Sequence, residues 1–239
     1  MHLPFDQAVR RRVYLMRHGD VAYFDADGRR VADSRLVVLT DRGRGEALAM
    51  RDRLQGVAFD RAISTGLPRT NETCAIVLGG RNLAMEIEPR LEEIRGGDPQ
   101  ARAQLSPIDY AYAMFKGASP DAVYANGERI HDFYSRVTTA FEEILRDLTW
   151  STLLLAAHGG VNRAILCSVT RGGPATFGAF EQDTGCLNVI DIDHDPATGR
   201  VLRQIIRGVN ITPEDPCKTT RQFTTMEGLA LRAFPHLAR

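Results

Sequence analysis

Hydrophobic and polar positions follow two kinds of pattern along the chain, and their order predicts the fold. Residues 13–16 and 153–157 are short continuous apolar runs, which is typical of strands buried on both faces of a parallel sheet. Apolar residues spaced three and four apart predict helices over about 41–55 and 128–148, and Thr40 is a suitable N-cap for the first of them. The chain is therefore expected to alternate strands with helices.

Shorter patterns fill the intervals between these segments. This order of elements predicts an α/β fold, a three-layer α/β/α sandwich around a mainly parallel sheet. Ligands of such sheets bind at the carboxyl ends of the strands. We predict further strands at 59–64, 85–88, 186–193 and 201–207, a helix from Pro68 to about 78, and a helix over about 161–170.

Two segments do not follow the alternation. Residues 96–127 are rich in glycine and proline around one weak helical stretch at 108–115, and we interpret them as a helical insertion near the active site. For the tail at 212–239, the pattern leaves open whether it caps the site, pairs subunits or packs loosely. A chain of 239 residues can bury one substantial core, so a single domain over 1–239 that includes both segments is expected.

Charge and cysteine content narrow the function. The 30 basic and 30 acidic residues give a net charge of +0, so no overall field attracts the chain to nucleic acid or to an anionic membrane. No apolar run approaches the roughly 18 residues of a membrane span, and the first residues lack the apolar core of a signal peptide. A cytoplasmic location is therefore expected. The four cysteines show no metal-binding or paired spacing, which favours buried thiols and no cofactor or metal.

Arg17, His18 and Gly19 follow the first apolar run, where a strand is expected to end. A histidine can accept a phosphoryl group when one ring nitrogen is free and neutral and the other is held by a hydrogen bond. The adjacent guanidinium group matches phosphate oxygens, and glycine lets the backbone approach closely. A strand-end histidine that is satisfied by the backbone is the alternative interpretation.

His158 and Gly159 follow the second apolar run, at the start of a predicted helix whose free N–H groups and positive dipole end favour an anion. Arg69 lies in the first turn of the helix that follows the second strand. Because these strands are expected to be parallel, both histidines and Arg69 would lie at one edge of the sheet. A solvated surface arginine is the alternative for Arg69. Glu92 and Glu93 are, by themselves, an ordinary acidic pair.

Taken in order, these motifs resemble the histidine phosphatase superfamily, the phosphoglycerate mutase-like enzymes, in the branch that carries the Arg-His-Gly motif. The resemblance covers about residues 12–210. It implies a phosphoglycerate mutase-like fold and a metal-independent phosphatase that acts on a small phosphorylated metabolite. The six matching segments are LMRHGD, LTDRGRGEA, FDRAISTGLPRTNET, RLEEIRGG, NGERIHDFYSRV and LLLAAHGGVNRAIL.

The resemblance also implies a role for each candidate residue. His18 attacks phosphorus and becomes phosphohistidine. Glu93, which is in register with the acid of the family, protonates the leaving oxygen and later activates water. The implied catalytic residues are His18, Glu93, His158, Arg17 and Arg69, and the implied substrate-binding residues are Arg17, Gly19, Arg69, His158 and Gly159.

The chain departs from the family pattern just after the first histidine. Asp20 and Val21 stand where the family usually has Glu or Gln and then Thr or Ser, and Tyr23 and Phe24 replace a Trp-Asn pair. A hydroxyl and an amide that often contact the phosphate are therefore absent. For this reason the natural substrate does not follow from the resemblance.

Two alternatives remain for the function. One is phosphoryl transfer of the phosphoglycerate mutase type, although mutases carry Asn-Glu-Arg-His-Tyr-Gly around the acid and residues 92–97 read Glu-Glu-Ile-Arg-Gly-Gly here. The other is a non-catalytic phosphate-binding module, against which the presence of all pocket residues and a carboxylate argues. The expected partner is a small phosphorylated substrate, with no nucleic acid and no membrane, and a homodimer is left open.

Overall fold

A six-stranded mixed sheet forms the centre of the protein. The computed structural model describes residues 8–25, 27–220 and 222–237. Across the sheet the strand order is β3-β2-β4-β1-β5-β6, in which the first four strands along the chain are parallel and β5 is antiparallel to both of its neighbours. The predicted, mainly parallel sheet is confirmed. The strands are β1 (Val9–Arg17), β2 (Arg61–Ser64), β3 (Met85–Ile87), β4 (Thr152–Ala157), β5 (Leu187–His194) and β6 (Val201–Ile211).

Helices cover both faces of this sheet, so the predicted three-layer sandwich is confirmed. The α-helices are α1 (Asp41–Arg53), α2 (Pro68–Leu78), α3 (Pro99–Ala103), α4 (Pro107–Ala111), α5 (Ile130–Arg146), α6 (Gly159–Val169) and α7 (Thr225–Ala233). α1 and α2 pack on the face that carries Met16 and Leu154, whereas α5 and α6 pack on the face that carries Leu15 and Leu155. Successive strand residues point to opposite faces, so each apolar run contributes to two cores.

Local signals set the ends of two helices near the sheet edge. The Thr40 hydroxyl accepts a hydrogen bond from the Gly43 N–H at 3.1 Å and caps α1 as predicted. Pro68 occupies the first turn of α2, and Gly79 ends that helix in a left-handed conformation with φ of 57°. None of the described helices is both long enough and apolar enough to cross a membrane.

β1 begins four residues before its predicted start at Val13. Its first residues are polar, yet they belong to the sheet because Arg10 and Arg12 pair with carboxylates of β5. Arg12 Nε lies 2.6 Å from Asp191 Oδ1, and Arg10 Nε lies 2.7 Å from Asp193 Oδ1. The partners are distant in sequence, so the hydropathy of this segment alone did not indicate a strand.

The insertion at 96–127 is helical, and the weak helical stretch predicted at 108–115 is divided between α4 and a 3₁₀ helix at Ala113–Ala118. The preceding helix, α3, was not predicted. Asp98 caps α3 and Ser106 caps α4, and each of these helices has a proline in its first turn. Segments this short contain too few residues to show a helical period.

The C-terminal tail packs against this insertion. The rings of Tyr110 on α4 and Phe234 after α7 meet edge to face, with centroids 6.0 Å apart. Leu105 and Ala230 are buried in the same small apolar cluster. Because α7 also lines the cavity at the carboxyl ends of the strands, the fold favours the capping role among the three roles left open for the tail.

Candidate active site

Two histidines meet at the carboxyl ends of neighbouring strands. β1 and β4 are adjacent and parallel, and each continues directly into a histidine, His18 and His158. The His18 N–H extends the ladder by donating to the Ala157 carbonyl at 3.0 Å. The ring centroids lie 5.3 Å apart at an interplanar angle of 67°, and both rings are buried. The sheet edge therefore brings the two imidazoles together.

The His18 ring is held in one tautomer. Nδ1 lies 2.8 Å from the Gly19 carbonyl oxygen, which can only accept, so Nδ1 carries the proton and Nε2 keeps its lone pair. Burial lowers the pKa of His18 well below its ordinary value, and the charges of Arg69 and Arg17 act in the same direction. The ring is therefore neutral, and Nε2 is available as a nucleophile.

Backbone packing fixes the loop that carries His18. A Cβ on Gly19 would lie 2.3 Å from the Gly43 carbonyl oxygen, so the loop and the first turn of α1 are in direct backbone contact. The Gly19 N–H donates to the Thr73 hydroxyl at 3.2 Å. In this structure Gly19 holds the loop in place, and its N–H already has a partner.

His158 lies at the start of α6, against the arginines of the site. Its Nε2 is 2.9 Å from the Thr65 hydroxyl, while Nδ1 is buried and has no hydrogen-bond partner within the described residues. Burial lowers the pKa of His158 well below its ordinary value, and the Arg69 charge acts in the same direction. Gly159 follows, and a Cβ on it would lie 3.4 Å from Arg17 Nε. The first turn of α6 and the Arg17 side chain are therefore close together.

Arg17 and Arg69 place two buried guanidinium groups at the same edge, with exposed fractions of 6% and 3%. Arg17 donates to the Gln182 carbonyl at 2.6 Å, and Arg69 donates to the Ser34 carbonyl at 3.0 Å. In the part of the chain that the structure describes, neither guanidinium has a carboxylate partner, and both Nε atoms are buried without a hydrogen bond. A buried cation without a counter-ion is costly, so this arrangement favours binding of an anion.

Sequence reasoning missed a third buried arginine. Arg163 lies one turn into α6, is 3% exposed, and lines the same cavity as Arg17 and Arg69. Its Nη2 donates to Glu181 Oε2 at 3.0 Å, and burial lowers its pKa. The spacing of four residues from Gly159 places it on the same face of the helix as the first turn, and this signal was present in the sequence.

Backbone groups hold Glu93 at the start of α6. Its Oε2 accepts a hydrogen bond from the Gly160 N–H at 3.0 Å, and its Oε1 accepts one from the Ile94 N–H at 3.0 Å. A Cβ on Gly160 would come within 2.3 Å of Glu93 Oε1, so glycine leaves the room that this carboxylate needs. The side chain lines the cavity, where it can give a proton to a bound group or take one from it.

Two other carboxylates nearby are already engaged. Glu92 forms ion pairs with two guanidinium groups, those of Arg35 at 2.8 Å and Arg95 at 3.2 Å. Asp20 accepts a hydrogen bond at 2.8 Å from the N-cap hydroxyl of α1 and lines a neighbouring cavity. The geometry therefore favours Glu93 as the proton donor of this site.

The segment that departs from the family pattern is packed against the rest of the site. Val21 is 3% exposed and forms an isolated β-bridge with Leu39. Tyr23 lines the cavity, and the Phe24 ring lies 5.8 Å from the Arg30 guanidinium carbon. Apolar and aromatic side chains thus stand where the family usually supplies a hydroxyl and an amide.

A cavity of about 260 Å³ joins the sheet edge to the insertion and the tail. The insertion contributes Tyr124, and the tail contributes Thr225, whose hydroxyl accepts from Arg17 at 3.3 Å and donates to the Gln182 carbonyl at 3.0 Å. Sequence reasoning assigned neither residue, because neither segment carries a recognisable motif. Over the described ranges, no group of three or more His, Cys, Asp or Glu side chains could hold a metal ion.

Known proteins match this chain in sequence and in fold. The adenosylcobalamin/alpha-ribazole phosphatase of Escherichia coli (strain K12) is 28% identical over 201 residues, which cover 83% of this chain and 98% of that protein. A probable phosphoglycerate mutase of Yersinia pestis (strain Pestoides F) is 28% identical over 197 residues, or 80% of this chain and 90% of that protein. The crystal structure of the alpha-ribazole phosphatase from Shigella flexneri superposes with a TM-score of 0.65 at 25% identity, covering 83% of this chain and 96% of that one.

A family model matches most of the chain. It describes branch 1 of the histidine phosphatase superfamily and covers residues 13–204, from β1 into β6. Both strand-end histidines, the two unpaired arginines and Glu93 fall within the match, whereas α7 lies outside it. The chain therefore belongs to branch 1 of the histidine phosphatase superfamily.

Proposed function

We propose that this chain hydrolyses the phosphate monoester of a small metabolite through a phosphohistidine formed on His18, with no metal ion. The reaction class is that of a phosphomonoesterase, in agreement with the family and with its phosphatase relatives. One observation supports this mechanism above the others. The neutral, buried His18 ring lies beside Arg17 and Arg69, whose guanidinium groups have no counter-ion among the described residues.

Binding of the phosphoryl group uses these charges. Arg17 and Arg69 donate to its oxygens and neutralise its negative charge, since guanidinium groups match phosphate oxygens in geometry. His158 completes the pocket on the side of β4. Phosphoryl transfer depends mainly on positioning and on charge stabilisation, and a preorganised, buried set of cations provides both.

In the first step, His18 Nε2 attacks phosphorus and forms the N–P bond while the bond to the ester oxygen breaks. The protonated Glu93 carboxyl gives its proton to that oxygen, so the product leaves as a neutral alcohol. His18 keeps the proton on Nδ1, which donates to the Gly19 carbonyl and carries part of the positive charge of the phosphorylated ring.

In the second step, water takes the place of the alcohol. The Glu93 carboxylate accepts a proton from the water as its oxygen attacks phosphorus, and the N–P bond breaks with its electron pair returning to His18 Nε2. Inorganic phosphate leaves, and both side chains regain their starting protonation states.

Turnover of p-nitrophenyl phosphate separates this proposal from a non-catalytic phosphate-binding module. The proposal predicts release of p-nitrophenolate and inorganic phosphate in equal amounts, with little change in EDTA because the arginines supply the positive charge. A binding module gives no turnover. Loss of activity on chelation, restored by a divalent cation, would contradict the metal-free mechanism.

Mutase-type transfer is the second candidate, because one matched relative is named as a probable phosphoglycerate mutase. A mutase passes the phosphoryl group from histidine back to a substrate hydroxyl, whereas a phosphatase passes it to water. With 3-phosphoglycerate as the substrate, the proposal expects inorganic phosphate to accumulate. Accumulation of 2-phosphoglycerate in its place would favour the mutase.

A further inference from the structure

The cavity continues past the phosphoryl pocket toward the insertion, and this outer part carries two further arginines. Arg30 follows the loop after His18, and Arg102 lies on α3 of the insertion. Both line the cavity together with Tyr110 and Tyr124. The mechanism proposed for phosphoryl transfer uses none of these four side chains.

Arg30 has aromatic neighbours and, among the residues that the structure describes, no counter-ion. Its Nη1 donates to the Tyr110 hydroxyl at 3.3 Å, and its guanidinium carbon lies 5.9 Å from the Tyr23 ring centroid and 5.8 Å from that of Phe24. Its Nε is buried and has no hydrogen-bond partner in the described structure. A neutral hydroxyl and two aromatic rings hold the guanidinium in place. None of these three groups carries a negative charge.

Arg102, which lines the same cavity, also has an unpartnered guanidinium nitrogen. Its Nε is buried without a partner, and its Cδ packs 3.5 Å from the position of a Cβ on Gly96. Within the described ranges, it forms no ion pair. Its aliphatic part is therefore packed beside the acid loop while its charged end has no carboxylate.

The other arginines that line the cavity away from the phosphoryl pocket have carboxylate partners. Arg35 and Arg95 share Glu92, and Arg163 on α6 pairs with Glu181. Arg30 and Arg102 are thus distinct from these neighbours in having no carboxylate partner among the described residues, since partly buried guanidinium groups are normally paired or hydrogen-bonded.

Tyr124 connects this outer part with the reaction centre. Burial raises the pKa of Tyr124, the Glu93 carboxylate acts in the same direction, and the Arg30 charge opposes both. Tyr124, Glu93 and Arg30 all line the same cavity. A substrate that spans the cavity would place its phosphoryl end at His18 and its other end at the two arginines.

We propose that Arg30 and Arg102 form a second anion subsite, so that the preferred substrates are phosphate esters with a further negatively charged group, a carboxylate or a second phosphate, at their far end. This inference rests on the proposed phosphatase function and names its substrate class. Both guanidinium groups line the cavity, and guanidinium groups bind either anion through paired donors, so a bound anion would supply the negative charge that they lack.

Graded, non-hydrolysable inhibitors test this subsite without knowledge of the natural substrate. Phosphonoacetate and its longer homologues carry a phosphonate and a carboxylate at increasing separation, and hydroxyalkylphosphonates of equal length replace the carboxylate by a neutral group. Bisphosphonates of the same lengths form the second-phosphate arm. Each is measured as an inhibitor of p-nitrophenyl phosphate hydrolysis. The inference expects one length at which the doubly anionic compound binds about 10- to 100-fold more tightly than its neutral match.

Substitutions test whether the preference for doubly anionic inhibitors depends on Arg30 and Arg102. Arg30→Gln and Arg102→Gln should each remove most of the preference while leaving p-nitrophenyl phosphate turnover near the wild-type rate, which also shows that the variants are folded. Arg95→Gln is the matched control, because this arginine of the same cavity is already paired with Glu92, and it should keep the preference. Arg30→Lys, which keeps the charge but loses the bidentate geometry, should retain part of it.

The outcomes that overturn the inference are distinct from those that overturn the phosphatase proposal. Equal inhibition by charged and neutral members at every length, or a preference that survives in both variants, would exclude an anion subsite. Tighter binding of phenylalkylphosphonates, unaffected by either substitution, would show that the tyrosines bind an aromatic group instead. No turnover of p-nitrophenyl phosphate by the wild type would refute the proposed function itself.

Discussion

Glu92 and Glu93 are neighbours in sequence but are held by different groups. Two guanidinium groups occupy the oxygens of Glu92, whereas backbone N–H groups orient Glu93 at the start of α6. A carboxyl that must exchange a proton with substrate and water needs a fixed position without a permanent cation partner, and Glu93 meets this condition.

Glu93→Gln should therefore slow phosphoenzyme formation from an alkyl phosphate such as glycerol phosphate by about 100- to 10,000-fold. The same step with p-nitrophenyl phosphate should change far less, because p-nitrophenolate leaves without protonation. Rapid-quench measurement of the phosphoenzyme separates this step from hydrolysis, in which Glu93 also acts. Glu92→Gln is the matched control and should be mild with both substrates. The reverse pattern would assign the acid to Glu92, and no leaving-group dependence in either variant would make Asp20 the next candidate.

At the scale of secondary-structure elements, the tail acts on the site through α7. The Thr225 hydroxyl accepts a hydrogen bond from Arg17, and its single proton has two acceptors within reach, the Gln182 carbonyl and Glu181, the ion-pair partner of Arg163. α7 lies outside the family match, so this support belongs to the chain's own tail. The tail thus contributes one hydrogen bond to the Arg17 guanidinium.

Thr225→Val keeps the shape of the side chain and removes its hydroxyl. We expect KM for phosphate esters to rise about 2- to 10-fold, since one hydrogen bond that positions Arg17 is lost, with a smaller change in kcat. Steady-state kinetics with p-nitrophenyl phosphate provide the measurement. Thr138→Val, on α5 where the hydroxyl bonds the carbonyl of its own helix, is the control and should leave KM unchanged. Equal KM values for both variants would show that the tail does not act on Arg17.

The elements that the sequence predicted well are those whose signal is local. The apolar runs of β1 and β4, the Thr40 cap and the apolar face of α5 depend on residues within a few turns of each other. The polar start of β1, with Arg10 and Arg12, depends on carboxylates of β5 that are distant in sequence. Hydropathy cannot detect such a pairing.

The residues of the candidate site also fall into two groups, those that a local motif predicts and those that only tertiary packing brings to the cavity. Motifs at strand ends led to the strand-end histidines and to the arginines beside them, because parallel strands end at one edge of the sheet. Thr225, Tyr124 and Arg102 come from the tail and the insertion, whose short helices and loops have no periodicity to interpret. Their position in the cavity follows from tertiary packing alone.

At the scale of the whole molecule, buried histidines make stability depend on pH. Burial lowers the pKa of His18, His158 and His194 in the folded protein. In the unfolded chain each takes up a proton as the pH falls below about 6.5. The unfolded state then binds more protons than the folded state, so the free energy of unfolding decreases below that pH, and the full stability is present above it.

Urea unfolding in phosphate-free buffers should show this loss. Below about pH 6.5 the free energy of unfolding is expected to fall by up to about 1.4 kcal/mol per pH unit for each of the three histidines. His18→Gln and His158→Gln should each reduce the slope by about one third, because one titrating group is removed. Stability that is constant or rises as the pH falls through this range, or slopes unchanged in both variants, would contradict the assignment of neutral, buried imidazoles.

Isolation of the phosphorylated enzyme tests the proposed phosphohistidine on His18 most directly. Wild-type protein mixed with a substrate labelled in its phosphoryl group and quenched in alkaline denaturant should carry label that is stable to base and lost in acid, as expected of a phosphohistidine. His131→Ala, which changes a histidine on α5 outside the cavity, should label like the wild type. No label is expected in His18→Ala, because Nε2 of that ring is the nucleophile. Wild-type labelling of His18→Ala would show that His18 does not form the phosphoenzyme.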